Sequence, residues 1–275
     1  MNANLSHCTF PRDVTHTLRQ VIRRCAVAML AASSLACTNS YATEVTVLAA
    51  GAAKELAARI DTSFTQMTGH RIKATFDTVG AQRERVEKGE RPDAVILSSS
   101  AIAQLTKLGL IDAASIRDVG DVQVGLAVRA DGAEKAAPDI STADALLNAL
   151  LAAKSIAYAD PARGATAGAH FAKVLIALGI QDRVASKVTV LPFGVEVIEA
   201  VAAGKYELGV SQSSEIVQHK GVRFLGALPM PHRLATRYQI AALKDRPNGV
   251  VLAEFITSER GRQASRESGF AAHRD

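Results

Sequence analysis

Four times along this chain a β-like run passes directly into an amphipathic helix, and each time Gly or Ala stands at the turn. The corners are LAAGAAKE (Leu48 to Glu55), FDTVGAQRE (Phe76 to Glu84), ADPARGATAGAHFAK (Ala159 to Lys173) and LPFGVEVIEA (Leu191 to Ala200). Repeated strand-to-helix passages of this kind mark parallel sheets with helices on their faces. What such a corner needs is room beside the backbone, and that need governs the functional reading.

The elements follow from periodicity. Strand VTVLAA leads to a helix from about Ala53 to Met67, in which Leu56, Ile60, Phe64 and Met67 recur at helical spacing and Gly69 ends the run. RIKATF is a strand, Ala81 to Lys88 a short helix, DAVIL a buried strand and AIAQLTKL a helix closed by Gly109. After the long strand VQVGLAVRA (Val122 to Ala130), Ser141 is expected to cap a helix, with Asp144 in capping-box position. A second alternation runs through SIAYA, a helix over Ala167 to Leu178, KVTVL, a helix over Val195 to Ala203, and ELGVS. Strand RYQIAAL and two helical segments finish the chain. The expectation is two α/β lobes, residues 43–122 with 223–275 and residues 123–222, joined where the long strands cross.

Composition narrows the partners. Of 275 residues, 48% are apolar and 21% charged, enough to bury a substantial core. The first 42 residues read as a secretory signal: Arg19, Arg23 and Arg24 precede the apolar run CAVAMLAASSLA, and Ser40 and Ala42 suit a cleavage site. Export to the periplasm is expected. Cys8, Cys25 and Cys37 all fall in this leader, so neither a disulfide nor a cysteine nucleophile is expected in the mature chain. Removing the leader leaves 28 basic and 26 acidic groups, too balanced for a nucleic-acid binder. Histidine spacing gives no metal motif, and no cofactor fingerprint occurs, so no metal or cofactor is expected. Scarce aromatics, with no Trp, disfavour a sugar ligand.

In open α/β sheets, ligands sit beyond the carboxyl ends of the strands. A helix start there offers free N–H groups and about half a positive charge. Small residues let the backbone approach a bound oxyanion. Two corners from each lobe thus define an anion seat.

The segments VTVLAAGAAKELA, TFDTVGAQRERVEKGERPDAVI, DPARGATAGAHFAKVLIALGI and EVIEAVAAGKYELGVSQSSEI resemble, in order and spacing, the periplasmic molybdate-binding family of type II solute-binding proteins. The resemblance implies a two-lobed fold, each lobe a mostly parallel sheet flanked by helices, with the ligand in the cleft. It also implies a monomer that serves a membrane transporter. The family's two serine positions fall on Ala52, beside Gly51, and on Val79, between Thr78 and Gly80. Its third-corner alanine matches Ala167, beside Thr166. Its fourth-corner valine falls near Gly194 and Val195, and its pocket tyrosine falls on Gln212. With both hydroxyls and the tyrosine replaced, a di- or tricarboxylate is expected rather than molybdate.

Specificity is expected from charged and hydroxyl groups near the corners. Arg83, Arg85 and Arg163 could fork onto a carboxylate, although Glu84, Glu87 and Glu90 offer the first two a solvated partner. Thr78 and Thr166 could donate to ligand or cap a helix, as could Ser98 in the run SSS. Two function classes stay open. One is an exported solute-binding protein for a small anion. The other is a cofactor-independent isomerase of an unsaturated tricarboxylate on the same scaffold, resembling aconitate isomerase. The second needs an acid or base near the moving proton, for which Glu196, His170 and Lys54 are the candidates.

Overall fold

The structure, a computed structural model, describes residues 43–131 and 137–273. The leader expected over residues 1–42 lies outside them. No described helix is long and apolar enough to cross a membrane.

The chain opens with β1 (Glu44–Ala50), a 3₁₀ turn (Gly51–Ala53) and α1 (Lys54–Thr68), then β2 (Arg71–Asp77), α2 (Val79–Glu87), β3 (Ala94–Ser98) and α3 (Ser99–Lys107). Parallel pairing of β1 with β2 and β3 confirms the first alternation. Helix α1 stops where Gly69 takes φ 75°, its N–H closing on the Thr65 carbonyl at 2.8 Å. That left-handed turn suits glycine because it has no Cβ. The expected apolar stripe is partly right. Leu56, Ile60 and Phe64 are buried against the sheet, whereas Met67 is exposed, the stripe having rotated away from the core by the last turn. Full burial of each such side chain contributes about 1.5–3 kcal/mol, and Phe64 also packs edge-on to Phe255.

Strand β4 (Arg117–Arg129) is longer than its apolar run, because its polar first half pairs with β9 (Ala235–Ala242). From Val124 onward it leaves that partner and lies between β7 (Leu208–Gln212) and β8 (Val222–Ala227). The second alternation comprises α4 (Ala143–Ala152), β5 (Ile156–Ala159), α5 (Thr166–Ala177), α6 (Gln181–Val184), β6 (Val188–Leu191), α7 (Gly194–Ala202) and β7. Here β5 pairs parallel to both β6 and β7. The four-residue α8 (Ser213–Ile216), then β8, β9, α9 (Pro247–Thr257) and α10 (Glu259–Glu267) complete the chain. The cap of α4 is Thr142, whose hydroxyl accepts from Ala145 N–H at 3.1 Å, and not Ser141, whose own N–H bonds Asp139.

The fold is two-lobed α/β. One core gathers around β1, β3, β9 and α1, with Val122 at its edge; another begins at Val124 and includes Leu126, Leu146, Tyr158, Phe171 and Leu228. Val122 and Val124 are two residues apart and belong to different cores, so the switch lies at Gln123. Strand β8, unmarked in the sequence reading, pairs with the second half of β4, and Leu225 and Leu234 pack on the second core. The return to the first lobe thus comes at β9, later than residue 223.

Candidate functional site

The corners converge. Between the lobes lies a cavity of about 230 Å³, walled by Gly51 and Ala52 of the first corner, Thr78 and Val79 of the second, Thr166 and Ala167 of the third, and Gly194 and Val195 of the fourth. Gln212 at the end of β7 and Lys54 at the start of α1 also line it. Most of the residues that sequence reasoning singled out are therefore brought together.

The second and third corners touch each other directly. Gly80 N–H donates to the Gly164 carbonyl at 3.2 Å, and the Thr78 hydroxyl donates to the Arg163 carbonyl while accepting from Ala81 N–H at 3.1 Å. A Cβ on Gly80 would stand 2.7 Å from Gly164 Cα, closer than real contacts allow. Gly80 is thus a closing contact between lobes and not a lining residue.

The first and fourth corners instead flank a side chain that sequence reasoning missed. Glu215, on α8, is half-buried, with its carboxyl at the glycines of both corners. A Cβ on Gly51 would lie 2.9 Å from its Oε1, and one on Gly194 would overlap its Oε2. Oε2 accepts from the Ser211 hydroxyl and from Gln212 N–H at 3.4 Å. Oε1 takes no hydrogen bond from the described residues. Burial pushes the carboxyl above the usual range, opposed by the two hydrogen bonds to Oε2.

Tyr238, on β9, is the other missed group. It lines the same cavity, and burial together with the Glu215 charge raises its phenol above the ordinary value, while Thr166 and Gln212 beside it pull the other way. The buried Gln212 side chain lines the cavity at the N-cap of α8, beside the Tyr238 phenol. Asp77, Phe76 and Phe193 complete the wall. The signal for Glu215 was the run SQSSEI, an acid set between a buried strand and a buried isoleucine. Tyr238 gave no signal, since a tyrosine in an apolar strand reads equally as packing.

Five expected contacts lie elsewhere. Arg83 pairs with Glu87 at 3.1 Å and donates to Gln104 at 2.7 Å; one helical turn separates it from an acid, and that partner wins. Ser98 caps α3 through Ala101 N–H and meets Ser100, so its hydroxyl is consumed locally. His170 bonds the His232 carbonyl at 2.7 Å. Glu196 sits in the first turn of α7, where it suits the helix dipole, outside the cavity wall. Arg85 likewise pairs with Glu90 at 2.7 Å. Arg163 pairs with Asp77 at 3.3 Å and lies over the Phe193 ring at 4.8 Å, beside the cavity. Lys54 is the one cation among the residues that line it.

Such a cleft, two α/β lobes closed on a small cavity at strand ends, defines a binding-protein architecture. The bacterial extracellular solute-binding protein family matches residues 45–271, and the chain belongs to that family. It is 28% identical to an aconitate isomerase of Pseudomonas sp. over 252 residues, 88% of this chain and 93% of that one. Among solved structures, it is similar to the Azotobacter vinelandii periplasmic molybdate-binding protein, with a TM-score of 0.68 and 14% identity over 84% of this chain and all of the other. It is also similar to the sulfate-binding protein SubI of Mycobacterium tuberculosis H37Rv, with a TM-score of 0.65 and 19% identity over 83% and 86% of the two chains. At these identities the structural likeness concerns the fold.

Proposed function

We propose that this chain is an exported periplasmic receptor that closes its lobes on one small organic acid, a di- or tricarboxylate in preference to molybdate, and delivers it as a monomer to a membrane transporter. The observation that carries the reading is the cavity itself: all four corners wall a space of about 230 Å³, bridged on one side by the Thr78–Arg163 and Gly80–Gly164 contacts. That volume is below the range of about 300–1,000 Å³ usual for drug-sized ligands, which suits a small metabolite. Gly51, Ala52, Val79, Ala167, Gly194 and Val195 would act through their backbone, and Thr166, Gln212 and Lys54 through their side chains. Ala52 and Val79 supply no hydroxyl where the molybdate binders that this sequence resembles carry serine, which supports a carboxylate. The lobes in this reading are residues 43–122 with β9 to the C-terminus, and residue 123 through β8.

A panel of molybdate, sulfate, phosphate, citrate and the two aconitates tests it by thermal shift, since a ligand of the folded state raises Tm once its concentration exceeds Kd. A carboxylate is expected to give the largest rise. Stabilisation by molybdate alone would overturn the ligand class, and silence across the panel would overturn the reading.

A second reading is the isomerase of an unsaturated tricarboxylate. Glu215 beside Tyr238 favours it, because a half-buried carboxyl and a buried phenol share the cavity, and an aconitate isomerase is similar over most of its length. His170 and Glu196 fall away from the cavity, which leaves Glu215 and Lys54 for the acid–base role. Incubation with cis- and trans-aconitate in deuterated water separates the two: exchange or loss of the vinyl and methylene proton signals means turnover, and unchanged spectra mean binding alone.

A further inference from the structure

A cleft for anions that holds a half-buried acid and one lining lysine contains a contradiction. Like charges in one cavity repel, and helix N-termini offset only part of that. The geometry around Glu215 resolves it. Oε2 is anchored by Ser211 and Gln212 N–H, Oε1 is without a hydrogen bond beside Gly51, and no ion pair reaches either oxygen among the described residues. We infer that Glu215 takes up its ligand together with one proton: the carboxylate becomes a carboxylic acid on Oε1, and that O–H donates to a carboxylate oxygen of the bound acid. The inference rests on the receptor reading. It makes Glu215 the residue that selects the ligand class, since a carboxylic O–H donates a strong hydrogen bond to a ligand carboxylate oxygen. Gln212, whose buried amide lines the same cavity, supplies the next donor.

The balance is simple. One proton from solvent and one ligand anion enter, and one O–H···O bond forms. The charged and titratable groups around Glu215 are few. Lys54 enters from the first corner, Asp77 with its partner Arg163 from the second, and Tyr238 from β9. Glu196 stands on α7 outside the cavity wall, and Asp121 is bonded to His273 on the β4 side of α8. Desolvation moves the Glu215 carboxyl upward, which lowers the work of protonating it.

Two measurements test this. Calorimetric titration of the full mature chain with citrate and with trans-aconitate, in buffers of different ionisation enthalpy, counts protons taken up. Uptake is expected to approach one per ligand, with affinity falling roughly tenfold per pH unit from about pH 7 upward, where these acids carry no proton of their own. Glu215→Gln keeps a neutral donor, and it is expected to lose both the uptake and the pH slope. Melting of the ligand-free proteins supplies a readout independent of ligand. A carboxyl whose folded pKa is raised keeps its contribution below the unfolded value and loses it as pH rises through the folded value. E215Q should therefore gain on the parent as pH rises through the folded titration of the carboxyl and gain nothing below about pH 4. If no acid binds, the receptor reading fails, and the melting comparison still decides whether the Glu215 carboxyl titrates above its unfolded value in the folded chain. If acids bind without proton uptake, or E215Q matches the parent in both measurements, the inference is overturned and the receptor reading stands.

Discussion

The second and third corners differ from the first and fourth in what they press against. Gly80 and Gly164 meet backbone to backbone across the lobes, each lying where the other's Cβ would stand. Gly51 and Gly194 meet a carboxyl. The strand-to-helix geometry is common to all four, and the absence of a side chain serves two ends: one pair fastens the lobes, and the other makes space for an ionisable group. Small residues at such corners therefore do not by themselves mean an empty seat for a ligand.

Substitutions separate the two uses. Gly80→Val should have the largest effect on binding. Its side chain meets backbone that cannot yield, at a cost of about 1–3 kcal/mol, or roughly 5- to 150-fold in affinity. Calorimetry with a stabilising acid checks it, and unchanged affinity would mean that the lobes do not need this contact. Thr78→Ala removes both a helix cap and a bond to Arg163, and should lower stability by about 0.5–2 kcal/mol in denaturant unfolding. Gly194→Ala should cost less, about 1 kcal/mol, because the group it displaces is the end of a side chain. Its sharper signature is an altered pH dependence of melting, which Gly80→Val should lack. Smallest of all, Arg83→Ala should stay within about 0.5 kcal/mol in stability and leave affinity unchanged. A tenfold weakening of binding would bring that arginine back into the cleft.

The fold was legible because its evidence is local. Hydrophobic period and glycine stops sit within single segments, and they located both alternations and all four corners. The site was half legible for the same reason. Gly51, Thr78, Thr166 and Gly194 are reached by adding up corners, each visible by itself. Glu215 and Tyr238 were not, because their role depends on α8 and β9 being carried to the first and fourth corners by chain far away in sequence. Arg83 shows the converse error. It stands beside a corner in sequence, but the side chain of a helical residue chooses among neighbours on its own face, and Glu87 was waiting there. Strand β8 was missed because VRFLGA is short and half exposed, so it carries no clear alternation.

Strand β4 adds a mechanical consequence. Its first half is bonded to β9 and its second half to β7 and β8, with the changeover at Gln123, whose N–H is held by Ser213 at 3.1 Å. Val124 on its far side is pinned to both Leu228 and Leu234. Spreading the two halves of the molecule would therefore bend a continuous ribbon instead of swinging a slack tether. Such a joint stores elastic resistance, returns to a set angle and limits sideways wobble. Amide exchange at residues 122–124 as fast as in the surface turns would argue against so stiff a pivot.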